Sequence, residues 1–543
     1  KNKKVNIKVL PKVFGEKDVF YTKGTKEYKN YEDNQIYTVY AKCNEAAYKK
    51  LKYNPFVNGV KNDASSDCNV TFVTRTNVFK TTGKLQLIGH DSRTYKKLSW
   101  KIKLDSKILG RKSLKFRANA NDPTLMRDKI ASEIYEAVGV PTYSSAYARL
   151  TINNDIYGLY NLVDNVNDKW LAAIVHGNDK AHTGTSYKTY AGADLKVLKN
   201  ANLYANRGTY EVDEIDKNDA QVKNNEFYRM IEFTKLFQKW DNDYGKSQNQ
   251  AAVTALKRFF SLEPLLRQMV IESLTFAFDN FWANSGNYAL YYNPEQNKYQ
   301  IIPYDFDRSF YGSMGSNRFA KNIFQNVNNC INWADSARIN KDTYFVSTLF
   351  KHKIIKDRYN QIMKQTVETL FNVNTLSPLI DSVASLIEDD IAWNFGLIDK
   401  LDSRISGFVN HFTLKNFKDN TNYKGVDYNK KLSVDDAEYG IKKWIQLRGD
   451  QCQKYVNSVI STKATVAAPK KTTIVKKTTV VKKTTVKKKA ATTTIPISTV
   501  KSRCGPEFGR CKYSDECCSS YGHCGTTNEF CKAGCQPKYG ICK

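Results

Sequence analysis

No apolar run in these 543 residues approaches the roughly 20 needed to cross a bilayer, so a membrane-spanning helix is not expected. The opening residues, Lys1-Asn2-Lys3-Lys4-Val5, lack the apolar stretch of a secretory leader; a secreted protein starting here is a mature chain whose leader is gone. There is no arginine-rich helix either, which argues against nucleic acid as partner despite a net charge of +30. The charge is concentrated instead. From Lys463 to Arg503 there are eleven lysines, one arginine and no acid, which accounts for +12 of the +30. Thr462–Val500 also lacks glycine and aromatics, and Lys-Lys-Thr-Thr recurs at 470–473, 476–479 and 482–485. Neighbouring lysines repel and nothing there can bury a core, so 462–503 reads as a disordered, extended linker. A polyanionic wall or membrane surface suits its charge better than nucleic acid does.

The rest of the chain has what the linker lacks. Hydrophobic residues make up 41% and aromatics 13%, with 34 tyrosines, enough for a sizeable core and for more than one domain. Residues 1–115 carry short alternating runs, Tyr37–Lys42 and Lys84–Ile88 among them, that read as strands. A helix is expected from Asp122-Pro123, with Met126, Ile130, Ile134 and Val138 as its apolar stripe and Gly139 as its stop. A hairpin follows, Ala146–Ile152 and Ile156–Val163. Beyond Tyr344 the pattern is helical and ends in a helix over 441–459. Strands first and helices later predict an α+β domain over 1–461, with a β-rich part to about 115, a middle part at 116–340 and a helical end at 341–461.

The chemistry gathers between Phe278 and Phe310. A helical run from Leu262 leads to Asp279-Asn280, and Asn284 follows. Asn287–Tyr292 and Lys298–Pro303 then form a hairpin, with Asp305-Phe306-Asp307 directly behind it. Phosphoryl transfer needs metal-holding carboxylates and amides, a base beside the nucleophile and a lysine on the phosphates. A catalytic-loop Asp, a nearby Asn, a hairpin and a second, metal-holding Asp follow one another in this order in protein kinases. Asp305 and Asp307 also fit a glycosidase acid pair or a solvated turn, but a glycosidase needs no such asparagines.

Eight of the twelve cysteines crowd into the last forty residues, at 504, 511, 517, 518, 524, 531, 535 and 542. A unit of that size cannot build an adequate core and needs cross-links, although spacing alone does not fix which. Cys43, Cys68, Cys330 and Cys452 leave room for two further bridges, with 43–68 and 330–452 as one pairing. Asn69-Val70-Thr71 is an N-glycosylation acceptor beside Cys68 that suits an exposed loop.

Two resemblances extend this reading. Residues 504–543, with Cys517-Cys518-Ser519-Ser520-Tyr521-Gly522-His523-Cys524-Gly525 and Asn528-Glu529-Phe530-Cys531, resemble the hevein-like chitin-binding domain. The resemblance implies the bridges Cys504–Cys518, Cys511–Cys524, Cys517–Cys531 and Cys535–Cys542. It also implies contact with chitin or N-acetylglucosamine oligomers through Ser519, Tyr521, His523 and Phe530. His523 stands where that family usually has an aromatic, and Phe530 lacks the phenol hydroxyl common there.

Most of 5–460 resembles the CotH family of atypical secreted kinases. The landmarks are Gly89-His90-Asp91-Ser92-Arg93, Lys97–Lys103, Asn121–Asp128, Tyr157–Asp164, Asp279-Asn280, Asn287–Tyr291, Pro303–Asp307 and Ile441–Arg448. This implies an atypical protein-kinase-like fold that uses ATP with Mg²⁺ or Mn²⁺ on Ser/Thr of coat, wall or secreted proteins. Asp279 would be the catalytic Asp, and Asp305 would hold the metal with Asn287 or Asn284 assisting. Lys101, or else Lys103 on the same strand face, would meet the phosphates, and Arg93 would join them. Asp128 and Asp164 stand where the family more often has Glu. A secreted or cell-wall protein tethered to chitin is the expectation, with a non-catalytic adhesin of the same fold as the alternative.

Overall fold

Alternating residues between Ile36 and Val163 close a barrel. A computed structural model of the protein describes residues 4–311, 323–337, 343–424, 439–461 and 495–542, apart from 501, 507, 520, 521, 533 and 534. In order of adjacency the barrel strands are Ile36–Cys43, Ser66–Val73, Val78–Leu87, Trp100–Ile108, Arg111–Arg117, Asp155–Val163 and Ser145–Ile152. The first and last pair in parallel, Ile36 opposite Tyr147, and so complete the ring. Period-2 alternation puts Trp100, Ile102 and Leu104 into the barrel core beside Leu85, Leu87 and Phe116. The same alternation turns Lys101, Lys103, Lys115 and Arg117 outward. Asn69 is exposed on the outer face of a barrel strand rather than in a loop, opposite Lys42 and Thr82.

The helix expected from Asp122 begins five residues later, at Arg127, and runs to Ala137. Leu125 has φ of +51°, which no α-helix continues through. Asp122 caps at a distance instead. Its carboxylate accepts from Thr124 N (2.9 Å) and Arg127 N (3.0 Å) and pairs with Arg127 Nη1 at 2.7 Å.

A second, antiparallel sheet of four strands follows, in the order Tyr210–Glu214, Ser186–Thr189, Tyr288–Asn293 and Lys298–Pro303. Leu262–Thr275 is a helix buried on almost every side, the mark of a central core element. Against it pack the helices Lys353–Thr369 and Ile441–Ser461, while Val373–Phe395 packs on Ile441–Ser461 and on the barrel strand Asp155–Val163. The Ile441–Ser461 helix fixes the end of the central helix: Trp444 Nε1 donates to Leu274 O (2.9 Å), and Arg448 Nε donates to Ser273 O (2.9 Å). No single helix among the described residues is long and apolar enough to cross a membrane.

The chain divides into two compact units, Lys1–Ala467 and Ala468–Lys543. The architecture is therefore α+β, with strands first, helices later and a disulfide-rich cluster at the end. Six disulfides join all twelve cysteines: 43–68, 330–452, 504–518, 511–524, 517–531 and 535–542. Such density belongs to a surface or extracellular protein, because reducing compartments keep thiols free. The cysteine-rich unit starts earlier than Cys504: Ser498 N donates to Arg510 O (2.8 Å), and Ile497 bridges to Arg510. The stretch of linker at 462–494 lies outside the described residues.

Candidate active site

The central helix ends in Phe276, left-handed at φ +51°, and the chain turns directly into Asp279. Two amides close on that carboxylate. Asn284 Nδ2 donates to Asp279 Oδ1 (2.9 Å), and Asn287 Nδ2 donates to Asp279 Oδ2 (3.1 Å) and to the Asp279 carbonyl (2.9 Å). The loop that carries them is pinned to the second sheet, because Asn287 N donates to Thr189 O (3.3 Å) and Tyr304 N to Asn287 O (3.2 Å). Ser285, Asn287 and Asp305 all have positive φ, +55°, +53° and +66°. Left-handed backbone at non-glycine residues is costly and persists where its surroundings enforce it.

Asp305 enters from the other side, at the end of the hairpin. Arg117 on the outer barrel face forms an ion pair with Asp305, and its Nη2 lies 3.6 Å from Asp307 Oδ1. Asp305 N donates to Tyr143 OH (3.2 Å), and Phe306 N donates to Asp128 Oδ1 (3.0 Å). Phe306 is stacked between Tyr135 and Tyr143, with ring centroids at 4.6 and 5.4 Å. Asp128 thus holds the Asp305-Phe306 backbone and the Tyr143 hydroxyl. Asp164 instead makes a buried pair with Arg111 Nε at 2.6 Å, away from this cluster.

The electrostatics follow from this crowding. Burial pushes the Asp279 carboxyl up to about 6, against the pull of Arg308 and with a push from Asp305. For Asp305, burial is outweighed by Arg117 and then Lys115, so its carboxyl falls below the usual range. Asp307 is raised well above it by burial and by the charge on Asp305. Arg308 Nη2 pairs with Asp91 Oδ2 at 2.9 Å, while its Nη1 lies 3.8 Å from Asp279 Oδ2. Asp91 is therefore what the Gly89–Arg93 loop delivers to the site.

Arg93 is a correction. It is buried, and its donors reach the carbonyls of Gly89 (2.8 Å), Pro55 (3.0 Å), Asn62 (2.8 Å) and Leu87 (3.2 Å). It ties the loop to the neighbouring hairpin at Phe56–Lys61 and is not placed to meet a phosphate. Lys103 is exposed. Lys101 is half-buried, and burial with the nearby Lys188 lowers its pKa. Sequence reasoning missed Lys115 and Arg117. Lys115 lies directly across from Lys101, and burial together with Arg117 lowers it to about 8. The alternation Lys115-Phe116-Arg117 was the available signal: the same period-2 argument applied to the next strand puts both cations on the Lys101 face.

In the cysteine-rich unit, Ser519 is buried and its Oγ accepts from His523 N (3.2 Å). Arg503 Nη1 lies 2.9 Å from His523 Nε2, and burial followed by this guanidinium lowers the His523 pKa, so the ring stays neutral. Phe530 lies flat enough on Gly525 that a Cβ there would come within 2.5 Å of its ring. Tyr521 lies outside the described residues.

Comparison with known proteins decides the family. The profile described as CotH kinase protein matches residues 85–450. The chain belongs to the CotH kinase protein family. It is 25% identical over 370 residues to the invasin CotH2 of Rhizopus delemar, a match covering 67% of this chain and 58% of that protein. It is 21% identical over 324 residues to the inner spore coat protein H of Bacillus subtilis, covering 59% and 81%. A 39-residue stretch is 51% identical to a chitin deacetylase of a Pestalotiopsis species, 7% of this chain and 13% of that one. The CotH match spans little more than half of the fungal invasin's length. Within the matched span, Asn280 Nδ2 donates to Tyr304 O and Asp305 O and so ties the Asp279 loop to the Asp305 strand.

Proposed function

We propose that this CotH-family protein is an extracellular, Mg²⁺- or Mn²⁺-dependent kinase that transfers phosphate from ATP to protein hydroxyls and is anchored to chitin by its C-terminal unit. One observation carries the proposal: Asp279, held by Asn284 and Asn287, lies within electrostatic reach of Asp305, which with Asp307 meets Arg117 on the barrel strand that also carries Lys115.

A divalent cation fits the donor set. Asp305 and Asp307 are hard oxygen donors so close that one raises the other, and a cation relieves that repulsion. Asn284 Oδ1 is buried without a hydrogen-bond partner, a free amide oxygen beside Asp279. When bound, the metal would neutralise charge on the nucleotide's phosphates. Asp305, Asp307 and Asn284 would hold it. Lys115, with Lys101, meets phosphate oxygens. Asp279, ionised above about pH 6 and held by two amides, orients the acceptor hydroxyl and takes its proton. Arg308 keeps that carboxylate and Asp91 in one place.

The hydrolase reading loses ground here. Asp305 and Asp307 both lie at Arg117, whereas a glycosidase pair stands about 5–9.5 Å apart across a sugar. The relatives named invasins favour a second reading, a surface-binding protein in which the same fold is not catalytic. Incorporation of labelled phosphate by the purified chain with Mg²⁺ or Mn²⁺, against Asp279→Ala and Asp305→Ala, separates the two.

A further inference from the structure

Asn280 stands where a short helix, Phe281–Asn284, should receive its side-chain cap, and it does not supply one. Its amide points the other way, donating to Tyr304 O (2.9 Å) and Asp305 O (3.3 Å). It thereby joins the Asp279 loop to the Asp305 strand. The first N–H groups of the helix then need another acceptor, because a buried unpaired N–H costs about as much as a lost hydrogen bond. Glu272 provides it. From the last turn of the central helix, its Oε2 accepts from Trp282 N at 2.7 Å. Its Oε1 accepts from Gln268 Nε2 at 2.8 Å. Glu272 is fully buried, and no arginine, lysine or histidine pairs with it among the described residues.

We infer that Glu272 is a positioning residue of this site: its carboxylate caps the Phe281–Asn284 turn from the central helix, leaving Asn280 free to couple the Asp279 loop to Asp305. A carboxylate buried without a cation is an expensive way to fill space, and a leucine would pack there at less cost. What the acid does that leucine cannot is accept the loop's N–H. Glu272 also lies within electrostatic reach of Tyr135, the ring stacked on Phe306. Tyr288 and Tyr359 face it from the second sheet and the Lys353–Thr369 helix, and burial raises both above the ordinary phenol range. Burial moves Glu272 itself to about 7, so its ability to accept two hydrogen bonds weakens below neutrality.

Gln268 makes a conservative replacement possible. Its Oε1 is buried and has no partner. In Glu272→Gln, a flip of the Gln268 amide pairs that oxygen with the new side-chain NH₂, and the other end still accepts from Trp282 N. Glu272→Ala keeps none of this.

The inference rests on the proposed transfer reaction for its kinetic arm but not for its structural one. Full-length wild type, Glu272→Ala and Glu272→Gln are compared by amide hydrogen exchange across 281–287 and by phosphate-transfer kinetics with Mg²⁺-ATP. The expected result is at least tenfold faster exchange across 281–287 in the alanine variant, with exchange in the barrel strands unchanged, and near wild-type exchange in the glutamine variant. Where wild type transfers phosphate, kcat falls about 10- to 100-fold in Glu272→Ala with KM for ATP within threefold, and Glu272→Gln recovers at least a third of kcat. Should wild type show no transfer, the kinase reading fails while the exchange data still judge Glu272. Unchanged exchange over 281–287 in a folded Glu272→Ala protein overturns the inference, as does a loss that only tracks the unfolded fraction.

Discussion

Lys115 lies directly across from Lys101 between adjacent barrel strands, and both are half-buried on the outer face. Like charges directly opposite destabilise a sheet, and in the proposed reaction the pair would be offset by the phosphates it meets. Neither makes a hydrogen bond or ion pair with a described residue. Lys115→Met is expected to weaken ATP binding about 10- to 100-fold and Lys101→Met less, while Lys103→Met leaves affinity within twofold. Because each replacement removes a repulsion, urea unfolding should show the Lys115 and Lys101 variants at least as stable as wild type. Calorimetric titration with Mg²⁺-ATP gives the affinities.

The two shifted groups frame a pH window. Asp279 must be ionised to take a proton and has its pKa at about 6. Lys115 must be charged to meet phosphate and has its pKa at about 8 before nucleotide binds. The profile of kcat/KM should therefore be a bell, rising through about 6 and falling above about 8. Lys115→Arg should move the alkaline limb upward and leave the acid limb in place. For stability the sign of the Asp279 contribution is the reverse of an ordinary ion-paired acid. Its folded pKa exceeds the unfolded one, so the native state holds the extra proton between about pH 4 and 6. Stability then falls as pH rises through that interval, and Asp279→Asn removes this part of the dependence.

Much of this site was legible before any coordinates. The hairpin between Asn287 and Asp305 returns its ends to one place, and the structure does bring Asn284 and Asn287 onto Asp279 and join their loop to Asp305 through Asn280. The hairpin over 145–163 and the helix near 441–459 were equally readable from their periods. Closure of the barrel was not. It depends on Ile36–Cys43 pairing in parallel with Ser145–Ile152, a contact over a hundred residues that no local pattern encodes. Arg93 misled for a related reason. An arginine in a polar loop beside a strand looks like a phosphate ligand, and only the packed loop shows its donors taken by four carbonyls.

That role makes Arg93 a separable test. Arg93→Met leaves those carbonyls without their donor and should cost about 3 kcal/mol of stability in urea unfolding. The folded fraction should bind Mg²⁺-ATP within threefold of wild type. A selective loss of nucleotide affinity without loss of stability would return Arg93 to the site.

For the C-terminal unit, Phe530 is held against Gly525, which has no side chain to push it away. Gly525→Ala should displace the ring and lower retention on chitin beads about tenfold, with the four disulfides of the unit still formed. Equal retention would place sugar contact elsewhere, at His523 and its neighbours.

The central claim is that Asp279 and Asp305 serve one phosphotransfer site. Labelled phosphate from ATP, supplied with Mg²⁺ or Mn²⁺ to the purified full chain and a panel of secreted and coat proteins, tests it most directly. The account predicts incorporation by wild type on serine or threonine, reduced at least 100-fold by Asp279→Ala and by Asp305→Ala in folded protein. No incorporation by wild type on any acceptor, or incorporation that survives both substitutions, would contradict it.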